Sequence, residues 1–495
     1  MARVTFQPAD WFVFFLFGSG ILALGFSAKL RDSSIFQFLT AGRSLSLPAF
    51  VATLVTVWYG GILGIGESVT YYGIGTWLLF GVPYYVFALL YAFVIARKVR
   101  QSDQITIPER IAATWGQTAG LTAAVLIFFL AVPAAHVLMI GTLLQAVTAI
   151  PLLPCVLIAT LIGGAFLYKG GLLADVRVGF LAFILMYVGF ASMLVFCLSH
   201  FDIAAVGRDL DGKQLLNWSG GKGMLVVVTY FILGAWTLVD PGFHQRVTSG
   251  KTPQTSRNGV LIAVGFWLLF DVLSIATALF AVSQSHPLPE DGKLLYPMFA
   301  DQVLPPGLKA IFFCGMIGTI LSALVGYTLV GGTTVGREIV GRLKGDIQSV
   351  EVTRWSRLAI LLSCLLSAFL AINIHSVVSL WYSWGGCIIG ALLTPVMLAY
   401  LGKTRIPPGV ISASMAISFL VSLAWLVYGL QTKNEFLNVA VVTGEGGLSV
   451  RSEPEAGEPV KGRTDIPLGT MMPALVVSSA VVGIGVLFRR RKTHG

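Results

Sequence analysis

The stretch VTVWYGGILGIGESVTYYGIG, residues 55–75, decides the fold. It lies in an apolar block long enough to cross a membrane, yet it carries six glycines between Gly60 and Gly75. Glycine weakens a helix interior by roughly 1 kcal/mol relative to alanine. Inside hydrocarbon, freed backbone carbonyls survive only where protein or a water-filled cavity satisfies them. The stretch therefore reads either as close helix packing through small residues or as a discontinuous helix whose carbonyls bind a cation. Five apolar blocks later, VTYFILGAWTLVDPGFHQR, residues 228–246, is interrupted by Asp240-Pro241-Gly242. Two broken segments in corresponding positions point to an inverted-repeat carrier.

The composition agrees. Of 495 residues, 56% are hydrophobic and only 11% charged, against roughly 25% charged in an average soluble domain. That excludes a water-soluble enzyme, and apolar residues recur along the whole length, so the fold class is an all-α polytopic membrane protein. At about 20 residues per crossing, thirteen blocks qualify and are numbered helices 1–13: 9–28, 47–66, 75–97, 119–148, 152–168, 172–198, 223–241, 256–284, 307–336, 356–374, 376–400, 408–430 and 469–488. Helices 2–6 and 7–11 form a 5+5 inverted-repeat core. The expected organisation is an N-terminal helix and loop (1–46), a first repeat (47–198), an external loop (199–222), a second repeat (223–400) and two C-terminal helices (401–495). The insert 431–468, rich in Glu, Gly, Pro and Lys, reads as a solvated loop without a core of its own.

The net charge of +10 is an orientation signal. With the N-terminus outside, the inner segments hold 23 of the 33 Lys and Arg, among them Lys29, Arg31, Lys169, Arg246, Lys403, Arg405 and the run Arg489 to Lys492. The positive-inside rule then favours N-out and C-in, in a plasma (inner) membrane, and no nucleic-acid partner is needed. No Lys or Arg is expected deep in any span. The five cysteines fall in apolar blocks, without a disulfide or metal spacing.

Several stretches resemble the sodium:solute symporter family: TAGRSLSLPAF (40–50), WYGGILGIGESVTYYGIG (58–75), KGGLLADVRVGFLAFILM (169–186), DPGFHQRVTSGKT (240–252) and SALVGYTLVGGTTVGREIV (322–340). The resemblance spans helices 2 to 11. It implies a leucine-transporter-like fold, alternating access, and substrate and ion held between the broken helices. It also implies a sodium site made by the carbonyls of Tyr59, Ile62 and Thr319 and the hydroxyl of Ser322, with Ala323 standing where the family has a second hydroxyl. Val178-Gly179 stands where the family usually has Thr-Asp. Sodium wants oxygen ligands, so both departures remove cation-handling oxygens and leave the coupling ion open between sodium and a proton. No cofactor is expected; the partners are a small solute and lipid, and the oligomeric state is open.

Asp271, in GFWLLFDVLSIA near the centre of helix 8, is expensive in hydrocarbon unless paired, hydrated or protonated. It binds a cationic substrate group, relays a proton, or hydrogen-bonds a neighbouring helix. His136, mid-helix 4 after Pro133, is either a satisfied core histidine or a proton relay. Trp58 and Trp236 are substrate-binding candidates. Trp236 matches the position where sugar-carrying members cover the substrate with an aromatic, although Leu233 falls where such a carrier uses a polar group. Stacking or cation–π contact suits a sugar or an ammonium group. Asp240 and Arg246 flank the helix 7 break as an inner-gate pair, or Arg246 is a simple interfacial anchor. Glu67 reads as a wet outer position, and Trp381, Tyr382 and Trp384 as an interfacial aromatic belt.

The leading expectation is a secondary transporter for a small organic solute. Sodium coupling through an altered sodium site is expected; the alternatives are a proton-coupled or uncoupled carrier of the same fold, or a carrier-like membrane solute sensor. The six histidines are scattered without HExxH, GxSxG or metal spacing, so a membrane enzyme is not expected.

Overall fold

In the computed structural model, every residue is described except 1–3, 29–33, 166–170, 286, 346–349, 403–405, 433, 435–436, 445–446, 453–462 and 495. Lys29, Arg31, Lys169, Lys403 and Arg405, used above for orientation, lie outside the described residues, as do the side chains of Arg489 to Lys492.

Ten helices among the described residues are long and apolar enough to cross a membrane, and the bent pair Met224–Leu238 and Pro241–Ser249 makes eleven. The count of thirteen is not reached on that measure. Helices 5 and 13 appear as the shorter apolar helices Leu152–Leu161 and Met471–Leu487. The other predicted blocks correspond one to one with observed spans, most of them longer than predicted because polar ends continue the helix. Helix 9, for example, runs from Leu308 to Lys344 through a π-helical stretch at Thr334–Gly341.

The insert 431–468, read from sequence as a solvated loop without a core of its own, carries strands. It contains a three-stranded antiparallel sheet in the order β2-β1-β3, with β1 Asn438–Gly444, β2 Gly447–Ser452 and β3 Arg463–Pro467. The alternating NVAVVTG and GLSVRS runs carry the β-branched residues that suit strands, and they pair antiparallel from Val439 with Ser452 to Gly444 with Gly447.

Helix 6 (Gly171–His200) packs along helix 9, and both contact helix 2. Small residues permit that approach: a Cβ added at Gly189 would lie 2.9 Å from the Phe312 Cα, and one at Gly315 2.8 Å from the Leu185 carbonyl oxygen. With lipid as apolar as leucine, such close backbone packing is what holds spans together. Helix 1 shows the opposite face of the same logic, exposing Trp11, Phe12, Phe15 and Leu16 where hydrocarbon replaces water.

Both predicted breaks are present, and they differ in kind. Helix 2 runs Leu47–Trp58, tightens to a 3₁₀ turn at Tyr59–Gly61, and resumes over Ile62–Tyr72. It ends at Gly73, whose φ of +53° suits glycine. Helix 7 runs Met224–Leu233, tightens at Gly234–Leu238, and restarts at Pro241 after a 41° bend. Asp240 caps the restart, its Oδ1 accepting from the Phe243 N–H at 2.6 Å, with proline at the first helical position.

The helix 2 glycines are contact surfaces. A Cβ at Gly60 would meet the Ala323 Cβ at 2.2 Å, and Cβ atoms at Gly61 and Gly64 would meet the Trp381 ring at 2.4 and 2.7 Å. Gly60→Ala is therefore expected to destabilise the purified protein by about 1–3 kcal/mol through overpacking. Ala323→Gly in the same chain should restore most of the loss of thermal stability, because it removes the methyl that is struck.

Candidate functional site

The two breaks face a central cavity. Trp58 and Tyr59 from helix 2, His136 from helix 4, Trp236 from helix 7, Asp271 from helix 8 and Tyr327 from helix 9 line it, together with Trp381 and Trp384 from helix 11. Asp271 is the one Asp, Glu, Lys or Arg among these lining residues. The walls are otherwise aromatic or aliphatic, the composition expected of a small-molecule site.

Asp271 is buried, and two tyrosines hold it. The Tyr59 hydroxyl lies 2.8 Å from its Oδ1, and the Tyr85 hydroxyl donates to Oδ2. Tyr59 also lies 2.7 Å from the Trp267 carbonyl oxygen, so its single hydroxyl proton faces two acceptors. A carboxylate offers about four acceptor positions, so both oxygens keep capacity for a further donor.

His136 and Asp271 share the cavity, but no hydrogen bond joins them among the described contacts. The imidazole stacks on Tyr327 at 5.4 Å, and its buried Nδ1 has no hydrogen-bond partner in the described structure. Trp58 stacks on Trp267 at 4.8 Å and meets Tyr84 edge-on at 4.7 Å. The Trp236 ring rests on Gly385, where an added Cβ would lie 2.5 Å from it.

Asp240 serves this wall. Its Oδ2 accepts from Trp236 Nε1 at 2.9 Å and from the Tyr327 hydroxyl at 2.7 Å, while Oδ1 caps the helix below. The expected ion pair with Arg246 is not formed. Arg246 is fully buried and pairs instead with Asp175 of helix 6, Nη2 to Oδ2, at 2.6 Å. This corrects two expectations, since a guanidinium does lie inside the bundle and it is not an interfacial anchor. Its Nε also donates to Thr53 Oγ1 at 3.2 Å and its Nη1 to the Gly242 carbonyl at 3.1 Å.

Two of the implied sodium ligands, the Ser322 hydroxyl and the Tyr59 carbonyl, are otherwise engaged. Ser322 Oγ donates to Asp175 Oδ1 at 3.0 Å. The Tyr59 carbonyl accepts from the Ile62 N–H. Ile62 and Thr319 are buried, and Ala323 presses its methyl on Gly60.

Three further expectations change. Trp381 and Trp384 line the cavity rather than a membrane interface, and Trp384 Nε1 donates to the Phe129 carbonyl at 3.1 Å. Tyr382 is buried. Glu67 is buried too, its Oε2 accepting from the Val377 N–H at 3.1 Å, which ties helix 2 to the start of helix 11. Sequence reading passed over Asp175, Thr53, Tyr85 and Tyr327. A signal for Asp175 existed, because it lies four residues before Gly179, one helical turn along the same face.

At the opposite end from Glu67, a second network closes the bundle. Arg337 donates to both carboxylate oxygens of Glu109 at 3.2 and 3.1 Å and to Glu338 at 2.7 Å, and Arg342 donates to Glu338 at 2.9 and 2.6 Å. Thr106 joins it through Glu338 at 2.8 Å.

This is the architecture of a secondary transporter, a multi-pass membrane protein whose broken spans enclose a solute-sized cavity. Residues 38–403 match the sodium:solute symporter family, and the chain belongs to that family. It is 22% identical over 403 residues to an uncharacterized symporter, YwcA, of Bacillus subtilis (strain 168), covering 75% of this chain and 78% of that one. Its structure is similar to a sodium-coupled sialic acid symporter in a substrate-bound outward-open state, with a TM-score of 0.72, 13% identity, and 97% and 98% of the two chains covered. A manganese transporter of Eremococcus coleocola matches with a TM-score of 0.50, 15% identity, and coverage of 93% and 96%. At these identities the structural likenesses establish the fold alone. The chain is a transporter and not an enzyme.

Asp240→Ala removes a helix cap and the partner of two cavity side chains. It is expected to cost about 1–3 kcal/mol of stability and to weaken solute affinity more than Asp240→Asn, which keeps an acceptor for one of them. Thermal unfolding and equilibrium binding of the two purified variants check this.

Proposed function

We propose that this symporter moves a small organic solute bearing a cationic head group, by alternating access between the two broken helices. One observation carries the reading: an aromatic-walled cavity with a single carboxylate, Asp271, and no Lys or Arg among its described lining residues. An ammonium group gains from the faces of Trp58, Trp236, Trp381 and Trp384 by cation–π attraction, worth about 0.5–2 kcal/mol per ring, and from Asp271 by charge. An anion would meet the carboxylate with no compensating cation on the wall. His136 adds an imidazole to the wall.

The segments 47–198 and 223–400 act as the two repeats, and Asp240 and Arg246 act at the hinge between the halves of helix 7 rather than as a paired gate. The Glu109–Arg337–Glu338–Arg342 network supports a closed inner end, with the N-terminus outside and the C-terminus cytoplasmic in a plasma (inner) membrane, as the distribution of cations favours. The sodium site implied by the family is altered in this chain.

A second reading makes Asp271 a proton carrier. The Tyr59 hydroxyl favours it, since one proton lies between the Trp267 carbonyl and Asp271 Oδ1, and a protonated Asp271 satisfies both contacts by donating to Tyr59.

Uptake of a panel of ammonium solutes and size-matched anions into proteoliposomes, under imposed sodium or proton gradients, tests the function. Accumulation of an ammonium solute is expected, and accumulation of anions alone would reject the substrate class. Asp271→Asn should reduce uptake at least tenfold. If the carboxylate carries the proton, the variant's residual uptake is also flat across pH; a retained wild-type pH profile rejects that role.

A further inference from the structure

The buried Asp175–Arg246 pair lies against a residue of the implied sodium site, and its chemistry is that of a site already filled. Asp175 sits one helical turn before Gly179, the position where the family usually has its carboxylate, so both face the same side of helix 6. A Cβ added at Gly179 would lie 3.1 Å from Thr56 Oγ1, 3.3 Å from Ser322 Oγ and 3.7 Å from Thr53 Oγ1. Three hydroxyls therefore surround Gly179, that of the implied sodium ligand Ser322 among them, and the Asp175 carboxylate approaches from the next turn. Ser322, the hydroxyl expected on sodium, donates to Asp175 at 3.0 Å. Thr53 accepts from Arg246 Nε at 3.2 Å, and the Gly242 carbonyl accepts from Nη1 at 3.1 Å. A carboxylate, a hydroxyl and a backbone carbonyl thus converge on one fully buried positive charge that is covalently part of helix 7.

We infer that the Arg246 guanidinium is a tethered cation taking the place of sodium between helices 2, 6, 7 and 9, so that this carrier binds no sodium at the family's site. The inference rests on the family membership and carrier reading above, and it goes beyond a ligand lost at Ala323. Sodium in this position links helix 9 to the broken helix and can leave. Arg246 makes the link through helix 7 and cannot dissociate. A buried ion pair tolerates the loss of one partner poorly, because the remaining charge is left uncompensated. Removing the guanidinium exposes Asp175 and Ser322 as an anionic oxygen cage that sodium can enter.

The test is thermal unfolding of the full-length purified protein in NaCl against KCl at equal ionic strength, since an ion that binds the folded state raises its apparent stability. The probe is the metal ion alone, so the outcome is independent of whether the substrate class has been read correctly. Arg246→Ala, and Arg246→Gln as a milder variant that keeps hydrogen-bond donors, should each acquire a sodium-specific rise in Tm that wild type lacks, and Ser322→Ala added to either should abolish it. Ala323→Ser alone should acquire none, because the site remains filled. The inference is overturned if wild type shows a sodium-specific rise that Ser322→Ala removes, if Ala323→Ser alone gains one, or if the folded Arg246 variants gain none. The wild-type and Ser322→Ala arms decide the matter even where the Arg246 variants do not fold.

Discussion

Every backbone break and every charge placed inside a bilayer must find its partner within the protein, and that constraint arranges this structure. Helix 2 answers it with a single 3₁₀ turn, in which the Tyr59 carbonyl stays bonded to the Ile62 N–H. Helix 7 bends more sharply, and Asp240 satisfies the Phe243 N–H of the restarted segment while its other oxygen takes up Trp236 and Tyr327. One carboxylate therefore caps a helix and sets two walls of the cavity. The break and the cavity wall are the same piece of chemistry.

Charge follows the same rule. Asp271 is held by Tyr59 and Tyr85 at the cavity surface, and Asp175 is held by Arg246 and Ser322 behind it. The first pairing leaves acceptor capacity that a solute or a proton can use. The second pairs opposite charges and joins helices 6, 7 and 9. The Glu109–Arg337–Glu338 network at one end and the Glu67–Val377 contact at the other join helices across the bundle in the same way.

Much of the fold was legible because hydropathy is a strong signal over 20 residues. The helix 2 and helix 7 breaks were visible as glycine clusters and as Asp-Pro-Gly, and Trp58, Trp236, His136 and Asp271 do meet at one cavity. What was not legible depended on which face a residue turns and how far a side chain reaches. Arg246, eight residues beyond the Gly234–Leu238 turn, read as half of an inner-gate pair with Asp240 or as an interfacial anchor, whereas the bend of helix 7 turns it into the bundle to meet Asp175. Trp381 and Trp384 read as a belt because they lie near a helix start, yet Gly61 and Gly64 on helix 2 provide the recess that admits Trp381. The strands in 438–467 are short and flanked by loop-forming residues, so composition alone hid their pairing.

The central claim is that the aromatic cavity around Asp271 is the transport site and opens to each side of the membrane in turn. Ala135 lines that cavity, and the five native cysteines are buried. Labelling Ala135→Cys with a membrane-impermeant maleimide, applied separately to either face of oriented vesicles, tests the claim most directly. Modification from both faces, slowed by transported solute, is the predicted result. Modification from one face only, or from neither, would contradict it.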